Sequence, residues 1–168
     1  MDVKSFTEYL LQDNLICDQY RDRVSASHSK AELFEMLSDT NGCEFICSKI
    51  SPEHPVDYEK VAKYFINHIN GKRTITHRTP DGEYTSKIFC NHNGAIVGDT
   101  TLLALLGCNS RVEVKEGHIL QIFCDCGTVC EIICPRGSRA VCAYWGEMPS
   151  VSGAGEVRFI KGARGSRV

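Results

Sequence analysis

Apolar residues recur along the chain with two different periods, and the change falls near Gly71. Up to that point the spacing is helical. Ser5-Phe-Thr-Glu8 has the Ser-x-x-Glu form of a capping box, and Phe6, Tyr9 and Leu10 follow on one face, so a helix is expected from about Ser5 to Gln12. Leu15, Ile16, Tyr20 and Val24 suit a second short helix. Ser29-Lys-Ala-Glu32 is again a capping box, Leu33, Phe34 and Leu37 continue it, and Asn41-Gly42 reads as a stop. After Pro52 and Pro55, the residues Tyr58, Val61, Ala62, Phe65, Ile66 and Ile69 match the i, i+3, i+4, i+7 pattern throughout, and Asn70-Gly71 ends it. These are core faces, and His28, His54 and His68 at their margins read as surface residues.

Beyond Gly71 the period becomes two. Thr74, Ile75 and Thr76 lead into Thr79-Pro-Asp-Gly82, a turn sequence, and Tyr84 to Cys90 returns as a strand, so a β-hairpin is expected over about 74–90. Asn91-His-Asn-Gly94 is a further turn. A repeat follows, in which Gly107, Gly117, Gly127 and Gly137 stand ten residues apart. Counted from each glycine, the third position holds Ser110, Leu120, Cys130 and Ala140. The fifth holds Val112, Ile122, Ile132 and Cys142, and the seventh Val114, Cys124, Cys134 and Tyr144. These three columns form an inward face of mostly small apolar residues, which suits the narrow core of a β-solenoid in which each decamer is half a coil, one strand and one corner. An antiparallel β-sandwich is the rival, because it alternates with the same period.

The expected fold is therefore α+β, an N-terminal helical segment followed by a short β-solenoid or β-sandwich with ten-residue repeats. The boundaries are 1–71 for the helical segment, 72–150 for the strand-rich repeat domain and 151–168 for a basic Gly-rich tail. A short stack has two open ends, which invite pairing. The helical segment is expected to cap one end and self-association the other. In the outward columns Phe123, Ile133 and Ala143 form an apolar stripe that needs cover. A second subunit is preferred over the helices, which makes these three the oligomer-interface candidates.

Composition changes this picture little, with 42% hydrophobic and 24% charged residues in 168. Its outlier is ten Cys. Asp2, Lys4 and Glu8 interrupt any apolar run near the start, and the stretch Leu102 to Leu106 is too short for a bilayer, so a cytoplasmic protein with reduced thiols and no membrane span is expected. Cys124, Cys126, Cys130 and Cys134 crowd together as CxC and CxxxC without a two-residue knuckle. They read as packing residues ahead of zinc ligands, and no metal or other cofactor is expected. His92 and His118 could approach a cysteine at the helix–strand junction, the one route to a Cys/His enzyme. No P-loop, dinucleotide fingerprint, nucleophile elbow or zincin motif is present, so the balance tilts against an enzyme.

Net charge is −2 but uneven, with 7 Lys/Arg against 12 Asp/Glu in residues 1–70 and 12 against 9 thereafter. The tail carries Arg158, Lys161, Arg164 and Arg167 against Glu156 alone. Four charges with one aromatic neighbour, Phe159, make a thin footprint for nucleic acid, so a solvated end is favoured over a nucleic-acid arm.

Thr40-Asn41-Gly42, the stretch Tyr84 to Gly94 and the stretch Thr100 to Asn109 together resemble a loosely defined group of uncharacterised small proteins of gut bacteria and their phages. In these a helical head precedes a strand-rich body. The likeness spans about residues 30–145 and implies a phage or mobile-element origin, with no catalytic residues to carry over. The function expected from the chain as a whole is a non-enzymatic structural or protein-interaction module that self-associates through the β-repeats. The alternatives are a protein binding a host factor or nucleic acid, and a Cys/His enzyme.

Overall fold

The computed structural model describes residues 1–12, 17–48 and 57–162. Five helices come first: α1 (Val3–Leu11), α2 (Asp18–Ala26), α3 (Lys30–Ser38), α4 (Thr40–Cys47) and α5 (Tyr58–Tyr64). Ten strands follow: β1 (Ile75–Thr79), β2 (Gly82–Cys90), β3 (Asn93–Gly98), β4 (Leu102–Leu106), β5 (Asn109–Val114), β6 (Ile119–Cys124), β7 (Val129–Ile133), β8 (Arg139–Tyr144), β9 (Ser150–Ser152) and β10 (Glu156–Lys161). No helix among the described residues is long and apolar enough to cross a membrane.

Local chemistry accounts for the helix limits. The capping box at Ser29 forms, with Glu32 N–H on Ser29 Oγ and Ser29 N–H on the Glu32 carboxylate. The one expected at Ser5 does not. Asp2 caps α1 instead, its carboxylate accepting from Ser5 N–H at 2.8 Å, because a carboxylate three residues earlier reaches the same free donor. Asn41-Gly42 is no stop either. Asp39 ends α3 and caps α4 through Gly42 N–H at 2.7 Å, so the chain turns a corner and resumes as a helix. Glycine is needed there for closeness, since a Cβ on Gly42 would stand 2.3 Å from the Met36 carbonyl oxygen. The segment with the cleanest helical spacing yields only the short α5. Phe65 to Lys72 then winds through turns that still bury Phe65 and Ile69 and leave Ile66 exposed. Leu15, Ile16, Pro52, His54 and Pro55 lie outside the described residues.

The strand region is a β-solenoid of about four turns, not a sandwich. β2, β4, β6, β8 and β10 stack in parallel as one wall, with β1 antiparallel on β2 at its edge, and β3, β5, β7 and β9 form the opposite wall. Residues facing each other on successive coils, such as Leu102 with Gln121 and Gln121 with Val141, lie about twenty apart, so each decamer is half a coil. The repeat glycines fall at the corners, and Gly107, Gly117 and Gly137 adopt positive φ there, which admits the sharp change of direction. All three inward columns point into the solenoid. Val112, Ile122, Ile132 and Cys142 are fully buried, and the other two columns are buried except for half-buried Tyr144 at the rim.

The helices lie against the outer face of the β2–β4–β6–β8 wall, joining it in a second core with Phe6, Leu33, Phe34 and Phe65. They do not form a simple end cap. This overturns two interface candidates. Phe123 and Ala143 are each 2% exposed within the helical core, so neither is free to meet another subunit. Ile133 is half-buried on β7, the opposite wall. The supposed stripe is split because successive decamers belong to opposite walls. Residues 156–161, set apart as tail by composition, form β10 and pair with β8 in parallel.

Truncating Phe123 to Ala opens a cavity between helices and wall and is expected to cost about 3–5 kcal/mol. Ile133→Ala is expected to cost about 1 kcal/mol. Urea denaturation of both variants checks the difference, and equal losses would contradict cover of this wall by the helices.

Candidate functional site

Chemistry-bearing side chains gather in four places: the solenoid interior, a corner of its third coil, the joint between helices and hairpin, and the last rung. In the interior, Cys124, Cys130, Cys134 and Cys142 are buried, and Cys124 Sγ lies 3.8 Å from Cys142 Sγ. The contacts with Cys130 and Cys142, and then burial, push the Cys124 thiol up, while burial raises Cys134 and takes Cys108 to about 11. These buried thiols serve as packing groups. Cys126, the remaining member of the suspected metal cluster, faces solvent from the corner, and no group of three or more His, Cys, Asp or Glu among the described residues is placed to hold a metal ion. Cys43 and Cys47 are buried on α4. The Nε2 atoms of His92 and His118 contact the backbone carbonyls of Ala95 and Thr100.

The corner is built on Asp125, which is 4% exposed. Its Oδ1 accepts from Gly107 N–H at 3.0 Å, Gly127 N–H at 3.2 Å and the Thr128 hydroxyl at 2.7 Å. Cys108 N–H bonds Thr128 Oγ1 in turn, so two side chains tie the third coil to the second. Burial raises the Asp125 carboxyl above its ordinary value and the three donors oppose that rise. The corner satisfies backbone donors that stacking would otherwise strand.

At the joint, His77 of β1 stacks on Tyr84 of β2, and its Nε2 lies 2.9 Å from Ser86 Oγ and 3.5 Å from Ser38 Oγ on α3. Thr40 N–H bonds the Tyr84 hydroxyl. A Ser–His pair is a catalytic motif only where substrate can reach it. Ser38 and Ser86 are 0% exposed and His77 7%, so this cluster fastens the helices to the hairpin. Burial holds the imidazole below its ordinary value, against the pull of Asp39 and Glu35, while Arg23 adds to the lowering. The joint went unread in the sequence, although the turn at Thr79–Gly82 already sets His77 opposite Tyr84.

The last rung is the part left uncovered. Along one inward column exposure runs 2% at Ile96 and 0% at Val112 and Ile132, then 42% at Val151. Val157 and Phe159 continue the columns of Ala140 and Cys142 and are only half-buried. Among the described residues, β9 and β10 each have one edge without a neighbouring strand, as β1 and β3 do at the other end, where the interior is covered. Of the basic candidates, Arg158 and Lys161 are exposed on β10, with Glu156 beside Arg139 at 3.4 Å, while Arg164 and Arg167 lie outside the described residues. The outer face of the β3–β5–β7 wall carries an open groove of about 380 Å³ lined by Ala95, Asn109, Arg111, Glu131 and Ser150. Arg111 and Glu131 pair with each other across it at 3.1 Å. No family model matches the chain, and no curated protein or solved structure matches it either.

Two outcomes follow from the corner and the joint. Asp125→Ala strands buried N–H groups and is expected to cost about 3 kcal/mol, whereas Asp125→Asn keeps the accepting oxygen and loses less than about half of that, as read by urea denaturation. For His77, the folded state resists a proton that the unfolded chain accepts. Its contribution to stability is therefore complete above the ordinary value of 6.5 and is lost as pH falls below it. The thermal midpoint should fall between about pH 7.5 and about pH 5.5, and fall less in His77→Phe. Equal falls would place the effect on other groups.

Proposed function

We propose that this protein is a non-enzymatic structural or interaction module that self-associates through its β-repeat region. The observation that carries this is the last rung. A core sealed along three coils is left open at the fourth, with Val151 at 42% exposure and Val157 and Phe159 half-buried beside strand edges that have no neighbour among the described residues. Open edges of this kind pair with other chains unless they are blocked.

The rest of the molecule supports the same reading. Eight of the ten cysteines are buried as packing groups, Cys126 being exposed and Cys17 half-buried, and the Ser–His contacts lie inside the joint. The nucleic-acid alternative has Arg158 and Lys161 on the described surface, and these sit on a strand rather than a free arm. Association confined to the β-region would leave the helices as a fixed covering, since their apolar face is already spent on the wall.

Light scattering on the eluting gel-filtration peak checks the proposal. The expected molar mass is a multiple of the 18.7 kDa of one chain, and it should hold at elevated salt, as apolar closure predicts. A mass equal to one chain over a wide concentration range would sink it.

A further inference from the structure

We infer that the self-association is a closed two-fold dimer, formed by antiparallel pairing of β10 with β10 of a second copy about an axis at Arg158. This rests on the self-association proposed above and adds its surface, symmetry and register.

The two ends of the solenoid differ. At the first coil the interior is covered, with Phe89 6% and Ile96 2% exposed and Gly71 and His92 against the Phe89 ring; β1 lies antiparallel on the edge of β2, while among the described residues β1 and β3 each keep a free outer edge. At the last coil the inward residues are less covered, Val151 being 42% exposed and Val157 and Phe159 half-buried. A stack of head on tail would need both ends open, and such heterologous contacts grow into filaments. The first end offers strand edges but no exposed apolar interior, so the open end is completed only by something offering a matching rung, a strand edge together with apolar inward residues. A second copy of the same end offers both, and an isologous contact stops at two.

The hydrogen-bonding direction of β10 fits this pairing. Glu156 N–H bonds the Ser138 carbonyl and Gly162 N–H bonds the Tyr144 carbonyl, so even-numbered residues spend their backbone groups on the β8 side. Alternation leaves the N–H and C=O of Val157, Phe159 and Lys161 directed to the open edge. A two-fold axis normal to the wall keeps inward faces inward, so opposed residues share parity. Centring it on Arg158 sets Val157 against the partner's Phe159 and Phe159 against the partner's Val157. Both are hydrogen-bonded pairs, and the interior columns run on through the junction. Centring it on Phe159 would set Val157 against the partner's Lys161 inside the core. The chosen register leaves the two Arg158 side chains facing each other on the outer face, a like-charge pair that weakens the contact. Raised salt should therefore tighten the dimer rather than dissolve it, and Arg158→Gln should tighten it further.

Site-directed cross-linking tests the geometry on the full chain. Directly opposed Cβ atoms in a non-hydrogen-bonded antiparallel pair are about 5 Å apart, within disulfide reach. With a mild oxidant, Arg158→Cys should yield a covalent dimer, whereas wild type and a Glu113→Cys control on the opposite wall should not. Val157→Pro removes a donor aimed only at the open edge and should lower dimer affinity at least tenfold while far-ultraviolet circular dichroism is kept. A wild-type chain that is monomeric throughout overturns both this inference and the proposed function, and it would leave the open end to a different protein. An oligomer that neither cross-links at Arg158→Cys nor responds to Val157→Pro overturns this interface alone. A mass that keeps rising with concentration beyond two chains overturns the closed symmetry.

Discussion

Everything in this molecule leans on one shared wall. The parallel strands β2, β4, β6 and β8 have an apolar face on each side, and β4, Leu102 to Leu106, is buried at every position. A parallel strand buried on both faces reads as a continuous apolar run instead of an alternating one. One face fills the solenoid, and the other must be covered by something. The five helices exist in their observed arrangement because they supply that cover, with Phe6, Phe34, Phe65, Phe123 and Trp145 meeting in one cluster. Burying an aromatic or leucine side chain contributes roughly 1.5–3 kcal/mol, so a wall with this many apolar residues on its outer face leaves the helices little freedom to dock elsewhere.

The cysteines belong to the same constraint. The coils are only sixteen to twenty residues around, judged by the spacing of paired residues, and the interior is correspondingly narrow. Ser110, Cys130, Ala140, Cys124, Cys134 and Cys142 fill it with little volume each, and cysteine does so as a small apolar group. The corners complete the stack. Asp125, Thr128 and Ser138 use side-chain oxygens to bond backbone of the preceding coil, so the solenoid is held at its edges as well as through its core.

Growth of such a stack has no internal stop, since each rung offers the next a complete strand edge. The two ends here are treated differently. At the first, β1 covers the edge of β2 and the turns after α5 cover the interior, with the Asn70 side chain clamping Cys90 through both its N–H and its C=O, and the edge of β3 stays free among the described residues. The last is left with half-buried Val157 and Phe159. That asymmetry, and not any cluster of reactive groups, is where the described surface departs most from a self-contained domain.

The sequence by itself determined the division into helices and strands, the hairpin over Ile75–Cys90, the capping box at Ser29 and the inward columns of the solenoid. These depend on neighbours a few residues away, and their periods are printed in the chain. A ten-residue half coil even implies that alternate decamers part to opposite walls, which already separates Ile133 from Phe123 and Ala143. Only the tertiary structure decided which wall the helices cover, that Asn41-Gly42 lies inside a helix, and that Arg158 and Lys161 stand on the last strand. His77 between Ser38 and Ser86 is a decision of the same kind. The helical cover, the last strand and the Ser38–His77 contact, 39 residues apart in the chain, are set by docking of one element on another, and the corner at Asn41-Gly42 by the Asp39 cap together with close packing on Met36 and Tyr20; period and spacing say nothing about which of two apolar faces will find the other.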